Sequence, residues 1–146
     1  MPESAHVLVV ANRTAESDEL LAALRERAEQ GAVRFTLLVP ATPHGMAWAT
    51  EMHSGEGEAD EHLTRAVERL RGAGLEVEAI RGDGDPGTAV QDALNAGGVY
   101  DEVVVSTLPS HLSRWLKLDL PRRVERITGL PVRHVEASEA DTPSDG

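Results

Sequence analysis

Apolar residues along this chain come in short unbroken runs, separated by longer stretches in which they recur every three or four positions. The first run, HVLVVAN (His6 to Asn12), lacks in-out alternation, as a strand buried on both faces of a parallel sheet does. RTAESDELLAALRERAEQG follows, with Leu20, Leu21, Leu24 and Ala28 on one helical face. Thr14 or Ser17 is its N-cap, acids fill its first turn and Gly31 stops it. VRFTLLVP (Val33 to Pro40) predicts a second strand, and DEHLTRAVERLRGAG a second helix, with Leu63, Ala66, Val67 and Leu70 in register and Gly72 and Gly74 at its end.

LEVEAIRG predicts a third strand. In DGDPGTAVQDALNAGG, Asp85 is an N-cap, Pro86 takes the first helical position, and Ala89, Val90, Ala93 and Leu94 face inward. YDEVVVST is the fourth strand, the stretch VVVSTLPSHLSRWLKLDLPRRV (Val103 to Val124) runs from it into a fourth helical region split by Pro121, and LPVRHVEA (Leu130 to Ala137) is the fifth strand. Strands alternating with helices predict an α/β fold: an open five-stranded parallel sheet with helices on both faces, joined by right-handed crossovers, Rossmann-like. Residues 1–137 make this one domain, and 138–146 (SEADTPSDG) an acidic, disordered tail. The segment ATPHGMAWATEMHSGEGEA, residues 41–59, is long enough to be functional or mobile, and its Met46 and Trp48 would suit a lid.

Composition narrows the function. The net charge of -11 opposes a polyphosphate backbone, and with one Phe, one Tyr and two Trp there is little to stack on bases, so nucleic acid is not expected as a partner. No apolar run approaches the roughly 20 residues that span a bilayer, and MPESAH does not open like a signal peptide. The absence of cysteine removes disulfides and thiolate chemistry. The expectation is a soluble, cytoplasmic protein with no membrane partner.

Ligands of open α/β sheets sit outside the carboxyl ends of the strands, where strand order reverses. The residues to watch there are Asn12, Val39, the turn from Gly82 to Asp85 that includes Asp83, and Ser106 to Pro109 with Thr107.

The order of elements and several stretches resemble the universal stress proteins from His6 to Glu136. VLVVANRTAES is similar to that family's first strand and turn, GDPGTAV to its turn before the third helix, and SRWL…RVERITGLPVRHV to its last helix and strand. The resemblance implies a five-stranded α/β domain that commonly pairs into homodimers through the last strand; a further protein partner is left open separately. Members that bind ATP carry G-x2-G-x9-G-[ST] after the fourth strand, where glycines let the backbone close on the phosphates and a helix N-terminus supplies positive potential. The same spacing here reads Ser106, Pro109, Asp119 and Leu120. Ser106 can still donate to an anion, Pro109 lacks an N–H, Asp119 repels a phosphate, and Leu120 lacks the hydroxyl. At the first strand the family's ligand-binding Asp corresponds to Asn12.

Asp119 also has a plain role open to it, as the cap of the helix beginning with Leu120 and Pro121, and this is the expected one. Asp83, Asp85 and either Asp101 or Asp119 could gather Mg²⁺, although aspartates in GDGDPG ordinarily make turns and caps, so no metal site is expected. The six histidines show no close metal-binding pair; His111, in the loop after the fourth strand, is the one retained as a ligand contact. Arg114, Arg122, Arg123 and Arg126 form a basic cluster whose ordinary use is pairing with neighbouring carboxylates. No nucleophile elbow surrounds Ser106, Ser110 or Ser113, so no catalytic residue is assigned. The expectation is a non-catalytic binding protein with no firm cofactor, ATP or AMP being disfavoured by Pro109 and Asp119. The alternatives are a nucleotide or small-anion binder using the same cleft, and a nucleotide hydrolase recruiting Asp83, Asp85, His111 or Asp119.

Overall fold

Five parallel strands and four helices carry out this plan in the computed structural model, which describes residues 5–11, 13–40, 64–82, 85–107 and 119–137. The strands are β1 (Ala5–Val10), β2 (Val33–Pro40), β3 (Val77–Gly82), β4 (Glu102–Thr107) and β5 (Val132–Glu136). The helices are α1 (Asp18–Glu29), α2 (residues 64–72), α3 (Pro86–Asn95) and α4 (Leu120–Thr128). A single 3-10 turn, Arg13–Glu16, links β1 to α1. Residues 41–63, which include the expected lid, and 138–146, the expected tail, lie outside the described residues.

Strand order is β3-β2-β1-β4-β5. Successive right-handed crossovers therefore build the sheet outward from β1 on one side, return past it, and build outward again from β4. That path sends α1 and α2 to one face and α3 and α4 to the other, which is why the central strands β1 and β4 carry the unbroken apolar runs VLVV and VVV, buried on both faces. Along β1, Val7 and Val9 pack with Leu20, Leu24 and Leu70, whereas Leu8 and Val10 pack with Val90, Leu120 and Val124. All of these side chains are buried.

Helix starts follow local chemistry. Ser17 is extended and accepts from the Leu20 N–H at 3.1 Å, so of the two candidate caps it is Ser17 that caps α1. Asp85 caps α3 in the same way, with Pro86 in the first turn, as the sequence predicts. Gly82 closes β3 where it meets α3: a Cβ there would lie 2.7 Å from the Ala89 Cβ and 2.8 Å from a Leu38 methyl. Only a bare backbone lets α3 settle this closely on the sheet.

Candidate functional site

β1 and β4 are neighbours whose chains leave in opposite directions, toward α1 on one face and α4 on the other. Their pairing ends at Val10 with Val105, so the backbones part at Ala11 and Ser106 and a crevice opens at the carboxyl edge. Three buried hydroxyls gather at or next to it: Thr14 on the turn after β1, and Ser106 and Thr107 at the end of β4. Buried polar groups are costly unless they are bonded, and these are. Thr14 Oγ1 lies 2.6 Å from Ser106 Oγ, tying the two diverging segments together. On the other face of β4, Thr107 Oγ1 lies 2.7 Å from His134 Nε2 on β5.

Thr14 and His134 are the residues that sequence reading misses here. Thr14 competes in the sequence only as a helix cap, and its pairing with Ser106 needs two segments 92 positions apart to meet. The β4–β5 register, in which Val105 pairs with His134 and Thr107 with Glu136, sets the histidine on the face that Thr107 uses.

The expected cap at α4 does not form. Asp119 occupies the N-cap position, but its side chain makes no capping bond and its backbone is left-handed, with φ 56° and ψ 43°. The capping aspartate at α3 is extended, with φ -84° and ψ 117°. A cap accepts from the second or third helical N–H; at α4 the second is Pro121, which has none, and the left-handed turn aims the carboxylate elsewhere. Asp119 is the one non-glycine residue with positive φ among the described residues. The backbone thus keeps a glycine's conformation at the very position where the resemblance expects a glycine, and an exposed carboxylate sits on it. Leu120, the next candidate, is fully buried in the core below α4.

Asp85 is similarly occupied by structural duties. Thr88 donates to Asp85 Oδ2 from its backbone N–H and its hydroxyl, both at 2.9 Å, and Arg123 Nη2 stands 3.6 Å away. The Thr88 N–H above all, then the Thr88 hydroxyl, hold this carboxyl below its ordinary range against an upward push from burial, and the Arg123 charge adds a lesser downward pull. Arg123 therefore serves as the carboxylate partner expected of that arginine cluster.

Asp101 lies at the amino end of the sheet, where Oδ2 accepts from the His6 N–H at 2.7 Å, so it cannot join a cation site at the carboxyl edge. Among the described residues no three His, Asp or Glu side chains are placed to hold a metal ion. Val39 is buried, leaving its backbone as the part that could meet a ligand. Asn12, Asp83, Pro109 and His111 lie outside the described residues. Among the described residues, what the crevice offers is hydroxyl groups, main chain and, at α4, a negative charge.

No protein-family model matches the sequence, and no curated protein matches it. The fold itself is shared with solved universal stress proteins. One in complex with cAMP is 22% identical, with a TM-score of 0.60 over 92% of this chain and 98% of its own. One from Archaeoglobus fulgidus in complex with dAMP is 19% identical, with a TM-score of 0.60 over 92% and 99%. One from Arabidopsis thaliana with AMP bound is 16% identical, with a TM-score of 0.64 over 97% of both chains.

Proposed function

We propose that this chain is a universal-stress-protein-like binding protein without catalytic machinery, whose β1/β4 crevice does not grip ATP through a phosphate loop. The observation that carries this reading is Asp119: a left-handed, uncapped residue at the start of α4 that presents a carboxylate where a polyphosphate would approach. At 4 Å a like charge costs about 1 kcal/mol in water and about 4 kcal/mol at a protein surface, and ATP brings several charges. The buried, mutually bonded hydroxyls of Thr14 and Ser106 add hydrogen-bonding capacity without adding positive charge.

A second reading is favoured by one specific observation: three proteins of this fold hold cAMP, dAMP and AMP, each with a single phosphate. A mononucleotide would place its nucleoside against Ala11, the Val39 backbone and the hydroxyls, and keep its one phosphate clear of Asp119. Thermal unfolding with ATP, AMP and cAMP, with and without Mg²⁺, separates the two, because a ligand of the folded state raises the midpoint by mass action. No rise with any of them supports the first reading; a rise with AMP or cAMP alone supports the second. A rise with ATP would overturn both, and turnover lost in Asp119→Ala would reinstate an enzyme.

The same proposal places the protein in the cytoplasm as a homodimer joined through β5, an edge strand of the sheet. In its support, no described helix is long and apolar enough to cross a membrane. Light scattering of the full chain, compared with a chain carrying Val132→Pro on that edge, tests the pairing.

A further inference from the structure

At the amino ends of β1, β2 and β3, the end of the sheet away from the crevice, lies a cavity of about 220 Å³. It is smaller than the ~300 Å³ at which pockets for drug-sized ligands begin, and at ~30 Å³ per water it holds roughly seven. Much of its wall is rigid. His6 is fixed through both ring nitrogens, Nδ1 at 2.9 Å from the Val99 carbonyl oxygen and Nε2 at 2.7 Å from Thr36 Oγ1, and its ring lies against Tyr100. Arg71 Nε donates to the Val77 carbonyl at 2.9 Å, and Thr36 Oγ1 bonds Glu78 Oε1 at 3.2 Å.

Four charged residues are among those lining this cavity, Arg34, Arg71, Glu76 and Glu78. The strand register pairs Phe35 with Val77, which sets Arg34 and Glu76 side by side one step earlier. Yet neither side chain makes a hydrogen bond or ion pair with any described residue. Among the described residues, Arg71 uses its inner nitrogen on the Val77 carbonyl and Glu78 one oxygen on Thr36. Donors and acceptors of both signs thus face one cavity and are not consumed by one another.

We propose that this cavity binds a small zwitterion of the α-amino-acid class, its carboxylate held by Arg34 and Arg71 and its ammonium by Glu76 and Glu78. Planar guanidiniums suit a carboxylate, which can accept two parallel hydrogen bonds, and a carboxylate pair suits an ammonium's three donors. Two positive and two negative charges sum to zero, so a ligand with both charges satisfies the set, while a simple anion or cation leaves one like-charged pair unanswered. The walls already ordered by His6, Thr36 and Val77 lower the entropy lost on binding. A six-residue strand rises ~3.3 Å per residue, so this site stands about 20 Å from the crevice and does not depend on what the crevice binds.

The test is ¹⁵N-NMR titration of the full chain with glycine, L-alanine, L-serine, L-glutamate and L-arginine, each to about 10 mM, where even a millimolar site is mostly filled. Propionate and ethylammonium are the single-charge controls. At least one amino acid should shift the amide signals of residues 6, 34 and 76–78, with the controls at least tenfold weaker. Arg34→Gln and Glu76→Gln, each checked for an unchanged unfolding midpoint, should weaken the amino acid at least tenfold. No shift with any of the five, equal shifts with propionate, or full binding in both variants would each overturn the proposal.

Discussion

The hydroxyls of Thr14 and Ser106 meet at 2.6 Å across the point where the sheet reverses, both buried. Each is the other's partner, so removing one strands the other. Thr14→Val, which keeps the shape, should cost about 1 to 2 kcal/mol, and Ser106→Ala a similar amount, by urea denaturation. The double variant should cost clearly less than the sum, since no unpaired group is left. Strictly additive costs would mean that the two hydroxyls do not depend on one another.

The left-handed turn at Asp119 makes a test of the missing cap. A side chain at positive φ costs on the order of 1 kcal/mol, which glycine avoids, so stability should run Asp119→Gly above the parent and Asp119→Ala below it. Were the carboxylate a working cap, glycine would cost a few tenths of a kcal/mol instead. The glycine variant is also the one to combine with Pro109→Gly in restoring nucleotide affinity. Leu120→Ser does not belong with them, because Leu120 is fully buried and the change would cost several kcal/mol.

The cap at α3 predicts a pH dependence. The Asp85 carboxyl is held below its ordinary value of 3.8, so the charged form stabilises the fold above that pH, and its contribution is lost as pH falls through the lower folded-state value. Asp85→Ala should cost about 1 kcal/mol at neutral pH. Unfolding curves taken at descending pH should show parent and variant converging once the carboxyl protonates. A gap unchanged down to pH ~2, well below an ordinary aspartate, would assign the loss to something other than the charge.

Two glycines near α3 should respond differently to alanine. At Gly82 the new Cβ would meet the Ala89 Cβ at 2.7 Å and a Leu38 methyl at 2.8 Å, both held in the core, so Gly82→Ala should destabilise by about 1 to 3 kcal/mol. At Gly87 it would meet the tip of Arg123 at 2.5 Å, which can swing into solvent. That leaves Gly87→Ala within about 0.5 kcal/mol of the parent, with the half-exposed, 3.6 Å Arg123–Asp85 pair broken at little cost. Thermal unfolding of the two variants side by side decides it, and equal losses would refute the assignment.

Much of this architecture is written locally. Unbroken runs such as VLVV and VVV require burial on both sides, and a parallel sheet between helices is the arrangement that provides it, so β1 and β4 and the helices between strands can be read directly. Ser17 and Asp85 cap their helices because a cap needs only a side-chain oxygen three residues before an N–H. Asp119 shows where such reading stops. Its neighbours resemble those of a cap, but its backbone is left-handed and its side chain makes no capping bond, and a backbone angle is not specified by residue type alone.

The same division holds at the candidate sites. That a ligand is expected at the carboxyl ends of the strands follows from element order, and Ser106 and Thr107 are expected with it, whereas the sheet alone makes β1 and β4 the point of reversal. Their partners Thr14 and His134 are 92 and 27 positions away, and a residue's type does not specify which distant hydroxyl it will meet. The charged cavity at the amino ends likewise draws Arg34 from β2, Arg71 from α2 and Glu76 from the approach to β3. The sequence by itself determined the elements, their order and hence the sheet, because burial and capping act over a few residues. Only the tertiary structure decided which side chains share a site, because strand register and helix docking bring together residues that the chain keeps far apart.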